Sequence, residues 1–167
     1  MESNPVLDAV ALRIGTHADD ADCARLWAQT VAARDGLEPD EETELRAIRK
    51  LAKGRISLLV AVEPDGLITA FSLLQRDAQG TDTKTAHLSM LAVHPTKQTH
   101  GLGGRLLNAT HEQAIAGGFT AITLRVLTSN HRACNLYENT GWVPTGTGRF
   151  QNSDRAFTSY RHSLTDR

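Results

Sequence analysis

MLAVHPTKQTHGLGGR, residues Met90 to Arg105, joins an apolar strand end to a helical pattern through a loop that contains three glycines. Glycines let backbone N–H groups turn toward a ligand, and the first turn of a helix adds about half a positive charge. An anion is therefore well held where such a loop enters a helix. The stretch predicts a binding site for a phosphate group.

The composition of the chain is that of an ordinary soluble globular domain. Its 167 residues are 40% hydrophobic and 22% charged, with a net charge of −1, which gives no reason to expect nucleic-acid binding. Neither the two cysteines, Cys23 and Cys134, nor the histidines have a metal-binding spacing. No signal-peptide pattern and no membrane-spanning run occurs. We expect one cytoplasmic domain, residues 1–167, without metal or membrane partner.

Hydrophobic periodicity predicts an α/β fold. The order is a strand, two helices, three strands, a helix, a strand, a helix and two strands. We place the buried face of the second helix at Leu45, Ile48 and Ala52, and we interpret residues 147–155 as an exposed loop. The unit from Thr85 to Leu127 should form a right-handed parallel crossover. The prediction is a mixed α/β sheet with helices on both faces. The predicted strands are residues 11–14, 56–62, 67–74, 85–93, 122–126, 142–146 and 157–164.

Two nucleotide-binding motifs do not fit the glycine loop. A Walker loop requires Lys and then Ser or Thr after its last glycine, whereas Gly104 is followed by Arg105 and Leu106. A dinucleotide fold requires G-x-G-x-x-G directly after a strand near the start of its unit. Here the glycine spacing differs, the preceding loop is longer, and the loop lies beyond the middle of the chain.

Two separate motifs instead resemble those of the GCN5-related N-acetyltransferases (GNAT). Gln98-x-x-Gly101-x-Gly103 resembles the loop that binds the pyrophosphate of acetyl-CoA in that family. The segment from Asn130 to Trp142, N-x-x-A-x-x-L-Y-x-x-x-G-W, is similar to the second cofactor motif. The order of elements agrees over nearly the whole chain. The resemblance implies the GNAT fold, a single, mostly antiparallel mixed sheet of about seven strands.

The resemblance also implies how acetyl-CoA, the co-substrate, would be bound. The phosphates would lie on the glycine loop, and the pantetheine arm would pair with the fourth strand where that strand splays from the fifth at a bulge. Asn130 would cap the last helix and hydrogen-bond the same arm. The expected cofactor-binding residues are Leu91, Ala92, Val93, Gln98, Thr99, His100, Gly101, Leu102, Gly103, Gly104, Arg105 and Asn130.

The implied reaction is direct transfer of an acetyl group from the thioester to a primary amine, an acyltransferase activity. Relatives use a tyrosine at the position of Tyr137 as general acid toward the departing sulfur. A glutamate that serves as base in some relatives is replaced by His87, and one used by others on the fifth strand is replaced by Arg125. His87 or a water molecule would therefore remove the proton. Arg125 would either face an anionic substrate group or be solvated.

The acceptor is less constrained by the sequence. In this fold the first two helices and the final hairpin bind it, and the acidic cluster from Glu38 to Glu44 weakly favours a cationic small molecule over a peptide amine. The alternative interpretation of the cluster is a helix start whose charges complement the helix dipole. An alternative for the whole protein is a catalytically weak acyl-CoA sensor. A homodimer is compatible with the resemblance because many relatives dimerise.

Overall fold

A seven-stranded sheet in the order β1-β2-β3-β4-β5-β7-β6 forms the centre of the protein, in a computed structural model that describes residues 9–77, 80, 82–98 and 101–165. Every neighbouring pair is antiparallel except β4 and β5, so the mixed, mostly antiparallel sheet is confirmed. The strands are β1 Ala11–Ile14, β2 Arg55–Val62, β3 Ile68–Arg76, β4 Thr85–Val93, β5 Ala121–Leu127, β6 Val143–Arg149 and β7 Ala156–Ser163.

Helices cover both faces of this sheet. The α-helices among the described residues are α1 Asp20–Asp35, α2 Glu41–Leu51, α3 Leu102–Ala116 and α4 His131–Asn139. Helices α1 and α2 pack through Ala24 and Leu51 against Phe71 of β3. Helices α3 and α4 pack on the opposite face, where Leu107 and Tyr137 share one apolar cluster. The element order predicted from the sequence is confirmed, including the caps by Asp40 and Asn130.

The two central strands separate after three paired positions. Strand β4 pairs in parallel with β5 only from Thr85 to His87, opposite residues 121–123. On the other side of β4, Leu73 and Leu74 of β3 face residues 90 and 88, so Ser89 is the extra residue of a β-bulge. A bulge bends its strand and shifts which residues face each side of the sheet. Residues 88–93 therefore have no partner strand on the β5 side, as expected for the splayed fourth strand.

The bulge has a visible effect on the core. Before it, Leu88 packs in the cluster of α3 and α4, whereas after it Met90 packs in the cluster of α1 and α2. His87 and Met90 consequently face the same helical layer although they are three positions apart. The bulge therefore sets which residues of β4 line the space between the separated strands.

Two sequence predictions about the periphery were wrong. The buried residues of α2 are Ala47 and Leu51, with Ile48 half-buried beside them as predicted, whereas Leu45 is 47% exposed and Ala52 is also exposed. All five residues lie on one apolar side of the helix, and the sequence pattern did not show which edge of that side packs inward. Strand β6 continues to Arg149, which shortens the final hairpin loop to residues 150–155. Its residues are almost all exposed, and this edge strand gives no hydrophobic alternation to detect.

Leu73→Ala tests the packing that supports the bulge. Leu73 is fully buried between the sheet and the α1–α2 layer, so its truncation should lower the free energy of unfolding by about 2–5 kcal/mol. Leu67→Ala is the matched control because Leu67 is 59% exposed. Urea unfolding followed by circular dichroism measures both. Equal losses for the two variants would contradict this description of the core.

Candidate active site

A cleft of about 730 Å³ opens where β4 and β5 separate. Residues 87–91 and 124–127 form its floor, and the C-terminal half of α1 and one side of α2 form one wall. The first turns of α4 form the opposite wall, and the 150–155 loop contributes to the rim. The volume lies within the range of about 300–1,000 Å³ that is typical of ligand sites. Because the strands part, the cleft is lined from both helical layers.

Tyr137 lines the cleft from the α4 side. Only 6% of the residue is exposed, and its ring packs at centroid distances of 5.6 Å from Trp142 and 5.9 Å from Tyr160. The hydroxyl forms no hydrogen bond with any residue in the described ranges. Burial, and then the neighbouring Cys134, raise the pKa of the phenol above its usual value. Tyr137 therefore presents a fixed, protonated hydrogen-bond donor at neutral pH.

His87 lines the same cleft at the last paired position of β4. Its Nδ1 lies 2.9 Å from Oγ1 of Thr123 on β5, which fixes the ring orientation. Desolvation lowers the pKa of His87 below 6.5; Asp77 opposes this shift, and the charges of Lys50 and Arg125 add to it. The imidazole is therefore mainly neutral at physiological pH and can accept a proton. The structure thus brings both candidate catalytic residues into one cavity.

The glycine loop lies outside this cleft, at the start of α3. Gly101 precedes the helix with φ of +76°, a left-handed conformation that glycine adopts without strain, and as the N-cap residue it supplies no side chain to cap the first turn. A Cβ on Gly104 would meet nothing within 4 Å, whereas one on Gly103 would lie 3.5 Å from Leu136. Leu102 is buried, so only its backbone can serve a ligand. An open helix N-terminus without bulky side chains fits a phosphate group.

The polar and charged side chains of the glycine loop and its flanks have partners within the protein. Gln98 donates from Nε2 to the carbonyl of Val93 at 3.0 Å, so its side chain ties the loop to β4. Arg105 donates to the carbonyl of Val10 at 2.7 Å, and Lys97 pairs with Glu63 at 3.4 Å. These cations thus have structural partners beside the loop. Thr99 and His100, predicted to bind phosphate, lie outside the described residues.

The predicted pantetheine edge is available on β4. Leu91 lines the cleft, Val93 lies half-buried beside Gly103, and the side chain of Ala92 is buried in the core so that only its backbone is offered. Asn130 accepts a hydrogen bond from the N–H of Ala133 at 3.3 Å and also lines the cleft. The residues present therefore fit an acyl-CoA: backbone groups without a partner strand lead from an open helix N-terminus to Tyr137.

An ion-pair bridge, which we define as Arg34, Asp35 and Arg155, connects α1 to the final hairpin loop. Arg155 donates to both carboxylate oxygens of Asp35 at 3.1 and 3.3 Å, and Arg34 donates to the same oxygens at 3.0 Å. Hydrogen bonds from Arg34 and then Arg155 lower the pKa of Asp35 to about 2, against the opposing effect of burial. The bridge holds the 150–155 loop against the rim of the cleft.

Several residues that line the α1–α2 wall and the rim of the cleft were not predicted from the sequence. Thr43, Ala47 and Lys50 line the cleft at positions i, i+4 and i+7 of α2. That spacing is a helical stripe, and it was hidden because only one of the three residues is apolar. Phe150 and Arg155 also line the cleft, although the sequence analysis interpreted their segment only as an exposed loop. Of the acidic cluster 38–44, only Glu38, Asp40 and the uncharged Thr43 line the cleft.

Comparison with known proteins identifies the family. The Acetyltransferase (GNAT) family matches residues 17–142, three quarters of the chain. The chain therefore belongs to the GNAT acetyltransferases, a family that uses acetyl-CoA, and the resemblance inferred from its two motifs is confirmed. Mycothiol acetyltransferase of Brachybacterium faecium is 26% identical over 151 residues, which cover 87% of this chain and 45% of that protein. The chain thus spans less than half the length of this relative.

Solved structures agree with the fold. A GCN5-related N-acetyltransferase from Kribbella flavida superposes with a TM-score of 0.75 at 20% identity, covering 94% of this chain and 99% of that one. A protein of Salmonella typhimurium assigned as an acetyltransferase, solved with its cofactor acetyl-CoA, has a TM-score of 0.69 at 20% identity over 95% of each chain. These similarities show the GNAT fold.

No described helix is long and apolar enough to cross a membrane. No group of three or more His, Cys, Asp or Glu side chains within the described residues is arranged to hold a metal ion.

Asp35→Asn tests the ion-pair bridge. Asn cannot attract two guanidinium groups, so amide hydrogen exchange in residues 150–155 should accelerate, while stability falls by about 1 kcal/mol or less because the pairs are partly exposed. The native pKa is depressed, so the stabilisation exists above the unfolded carboxyl pKa of about 3.9 and disappears as the pH falls toward about 2. Asp22→Asn, which alters an exposed pair with Arg25, is the control. Unchanged exchange in the loop would contradict the bridge.

Proposed function

We propose that the chain is an acetyl-CoA-dependent N-acetyltransferase domain that transfers an acetyl group directly to a primary amine. The observation that carries this proposal is that two residues line the same cleft: Tyr137 as a protonated hydrogen-bond donor and His87 as a neutral base. Acetyl-CoA, when bound, supplies the acetyl group as a thioester. The protein would provide proton removal, orientation of the amine, and hydrogen bonding at the sulfur.

The opening between β4 and β5 supports one site for two substrates. Residues 88–93 offer an unpaired strand edge, and the first turn of α3 offers backbone N–H groups to phosphate. The α1–α2 wall and the 150–155 loop line the remainder of the cleft, where an acceptor would bind. Donor and acceptor sites meet at the floor of the cleft, so the amine would reach the thioester without a covalent enzyme intermediate. Cys23 is buried, and burial raises the pKa of its thiol to about 12, so it is no nucleophile.

His87 would take the proton of the amine. An alkylammonium group has a pKa near about 10.4, so an acceptor arrives mostly protonated and unreactive. The neutral imidazole is oriented through Nδ1 by Thr123, and no described residue engages Nε2. Desolvation makes His87 a weaker base than a free imidazole, which favours passing the proton onward to solvent. Ser89, in the bulge beside it, also lines the cleft and offers a hydroxyl to an ordered water.

Tyr137 would stabilise the sulfur as it departs. The pKa of a thiol is about 8.5, below that of a phenol, and burial raises the pKa of Tyr137 further. Complete proton transfer to a thiolate is therefore uphill, whereas a hydrogen bond from the phenol to the developing charge is favourable. Tyr137 would then act as a donor throughout the reaction, and solvent would complete protonation of the thiol.

Tyr137→Phe should lower kcat by about 100-fold, the typical cost of losing one preorganised donor, and leave acetyl-CoA affinity nearly intact. The ring packing against Trp142 and Tyr160 remains, so the melting temperature should hold. Free-thiol release across an amine panel measures kcat. Tyr160→Phe is the matched control, because that hydroxyl bonds Glu138 at 2.9 Å and the residue does not line the cleft. An unchanged kcat for Tyr137→Phe would remove this hydroxyl from the mechanism.

His87→Gln should remove one step from the pH profile. In the wild-type protein kcat/KM should rise with pH through an apparent pKa below 6.5, as His87 loses its proton. The variant should lack that rise and react about 100-fold more slowly. His162→Gln, a histidine outside the cleft, should retain the wild-type profile. If His87→Gln kept both rate and profile, proton removal would belong to water.

A further inference from the structure

Two cations lie beside the candidate base on the acceptor side of the cleft. Lys50 lines it from α2, and Arg125 lines it from β5, two residues after the Thr123 that fixes His87. The charges of both lower the pKa of His87, which requires that both lie within electrostatic reach of the imidazole. Asp77 opposes their effect on the pKa of His87, so the candidate base lies among charges of both signs, and the two cations are those that line the cleft.

Neither cation has a carboxylate partner among the described residues. The ion pairs found there involve other basic side chains, and the guanidinium of Arg125 instead lies 4.8 Å from the ring centroid of Phe157. That arrangement holds the guanidinium over an aromatic face and leaves its N–H groups without an acidic partner. Desolvation at the cleft lowers the pKa of Lys50, although the residue as a whole is exposed.

None of the three carboxylates that line the cleft forms an ion pair with these two cations. Asp35 is held by Arg34 and Arg155 in the ion-pair bridge. Asp40 accepts hydrogen bonds from the N–H of Glu42 at 2.9 Å and from the hydroxyl of Thr43 at 3.0 Å, as the cap of α2. Glu38 is exposed in the segment between α1 and α2. Five cationic side chains and three carboxylates line the cleft, so a positive excess remains.

The donor phosphates do not account for these cations. No described residue of the 98–105 segment lines the cleft, and that segment has its own open helix N-terminus. Lys50 and Arg125 lie instead on the acceptor side, facing the same layer as His87. An anion that reaches them must therefore belong to the second substrate.

We propose that Lys50 and Arg125 bind an anionic oxyacid group, a carboxylate or a phosphate, carried by the acceptor amine. This inference rests on the proposed acetyl transfer and names its substrate class. The planar guanidinium of Arg125 matches two oxygens of such a group, and Lys50 adds a point charge. The anion would orient the substrate so that its amino group faces His87. This proposal differs from the cationic acceptor that the acidic cluster weakly favoured.

The test compares amines offered in anionic and neutral forms: β-alanine with β-alaninamide for a carboxylate, and phosphoethanolamine with ethanolamine for a phosphate. Wild-type protein should acetylate an anionic member with the higher kcat/KM, and the preferred pair identifies the oxyacid. Arg125→Gln and Lys50→Gln should each lower kcat/KM for that member about 10- to 100-fold more than for its neutral counterpart. Arg125→Lys keeps the positive charge, so its kcat/KM for the anionic member should lie between those of the wild type and Arg125→Gln.

Arg49→Gln is the matched control, since Arg49 is the exposed neighbour of Lys50 and does not line the cleft. Calorimetric titration of the same amines into the CoA complex supplies a readout independent of turnover. Turnover without preference for an anionic member, or equal losses for both members of a pair, overturns the anion site alone. If anionic amines bind with an affinity that Arg125→Gln lowers but are not acetylated, the proposed acetyl transfer is overturned and the anion site is not. If no amine is either acetylated or bound, both proposals are overturned.

Discussion

The separation of two central strands is the feature on which the rest of the structure depends. Strands β4 and β5 pair at only three positions and then part, and the extra residue Ser89 bends β4 at the same point. Backbone groups of a sheet interior are normally paired, so an opened edge is costly unless something else satisfies it. Here the opening creates a cleft lined from both helical layers, with Tyr137 on one side and His87 on the other. The unpaired edge of β4 is therefore part of the candidate site.

The sequence predicted those parts in which local chemistry dictates structure. Gly101 adopts a left-handed conformation at the start of α3, and Asn130 caps α4, because few other residues serve these positions as well. The α1–α2 wall and the rim of the cleft were harder to predict. The face of α2 depends on which way the helix rolls against the sheet, and the roles of Lys50 and Arg155 depend on residues more than 30 positions away in the chain. Such pairings are tertiary, and no local pattern encodes them.

In the proposed reaction the two sides of the cleft have different roles. On the α4 side, Tyr137 is buried and protonated, suited to hydrogen-bond donation at a sulfur that becomes negative. On the α1–α2 side, burial and the charges of Lys50 and Arg125 lower the pKa of His87 against the opposing charge of Asp77, so the neutral imidazole is suited to accept a proton. The cations that weaken the base are the same groups that would bind an anionic acceptor. Charge neutralisation by the bound substrate would therefore strengthen the base at the moment it is needed.

Amide hydrogen exchange with and without acetyl-CoA reports on the opened strand edge itself. Saturating acetyl-CoA should slow exchange at residues 88–93 of β4 and 101–105 at the start of α3. Exchange in β2 should change little, because both edges of that strand are already paired with β1 and β3. Saturable binding that left both segments unprotected, or that protected the opposite end of the sheet, would show that the separated strands do not form the acyl-CoA site.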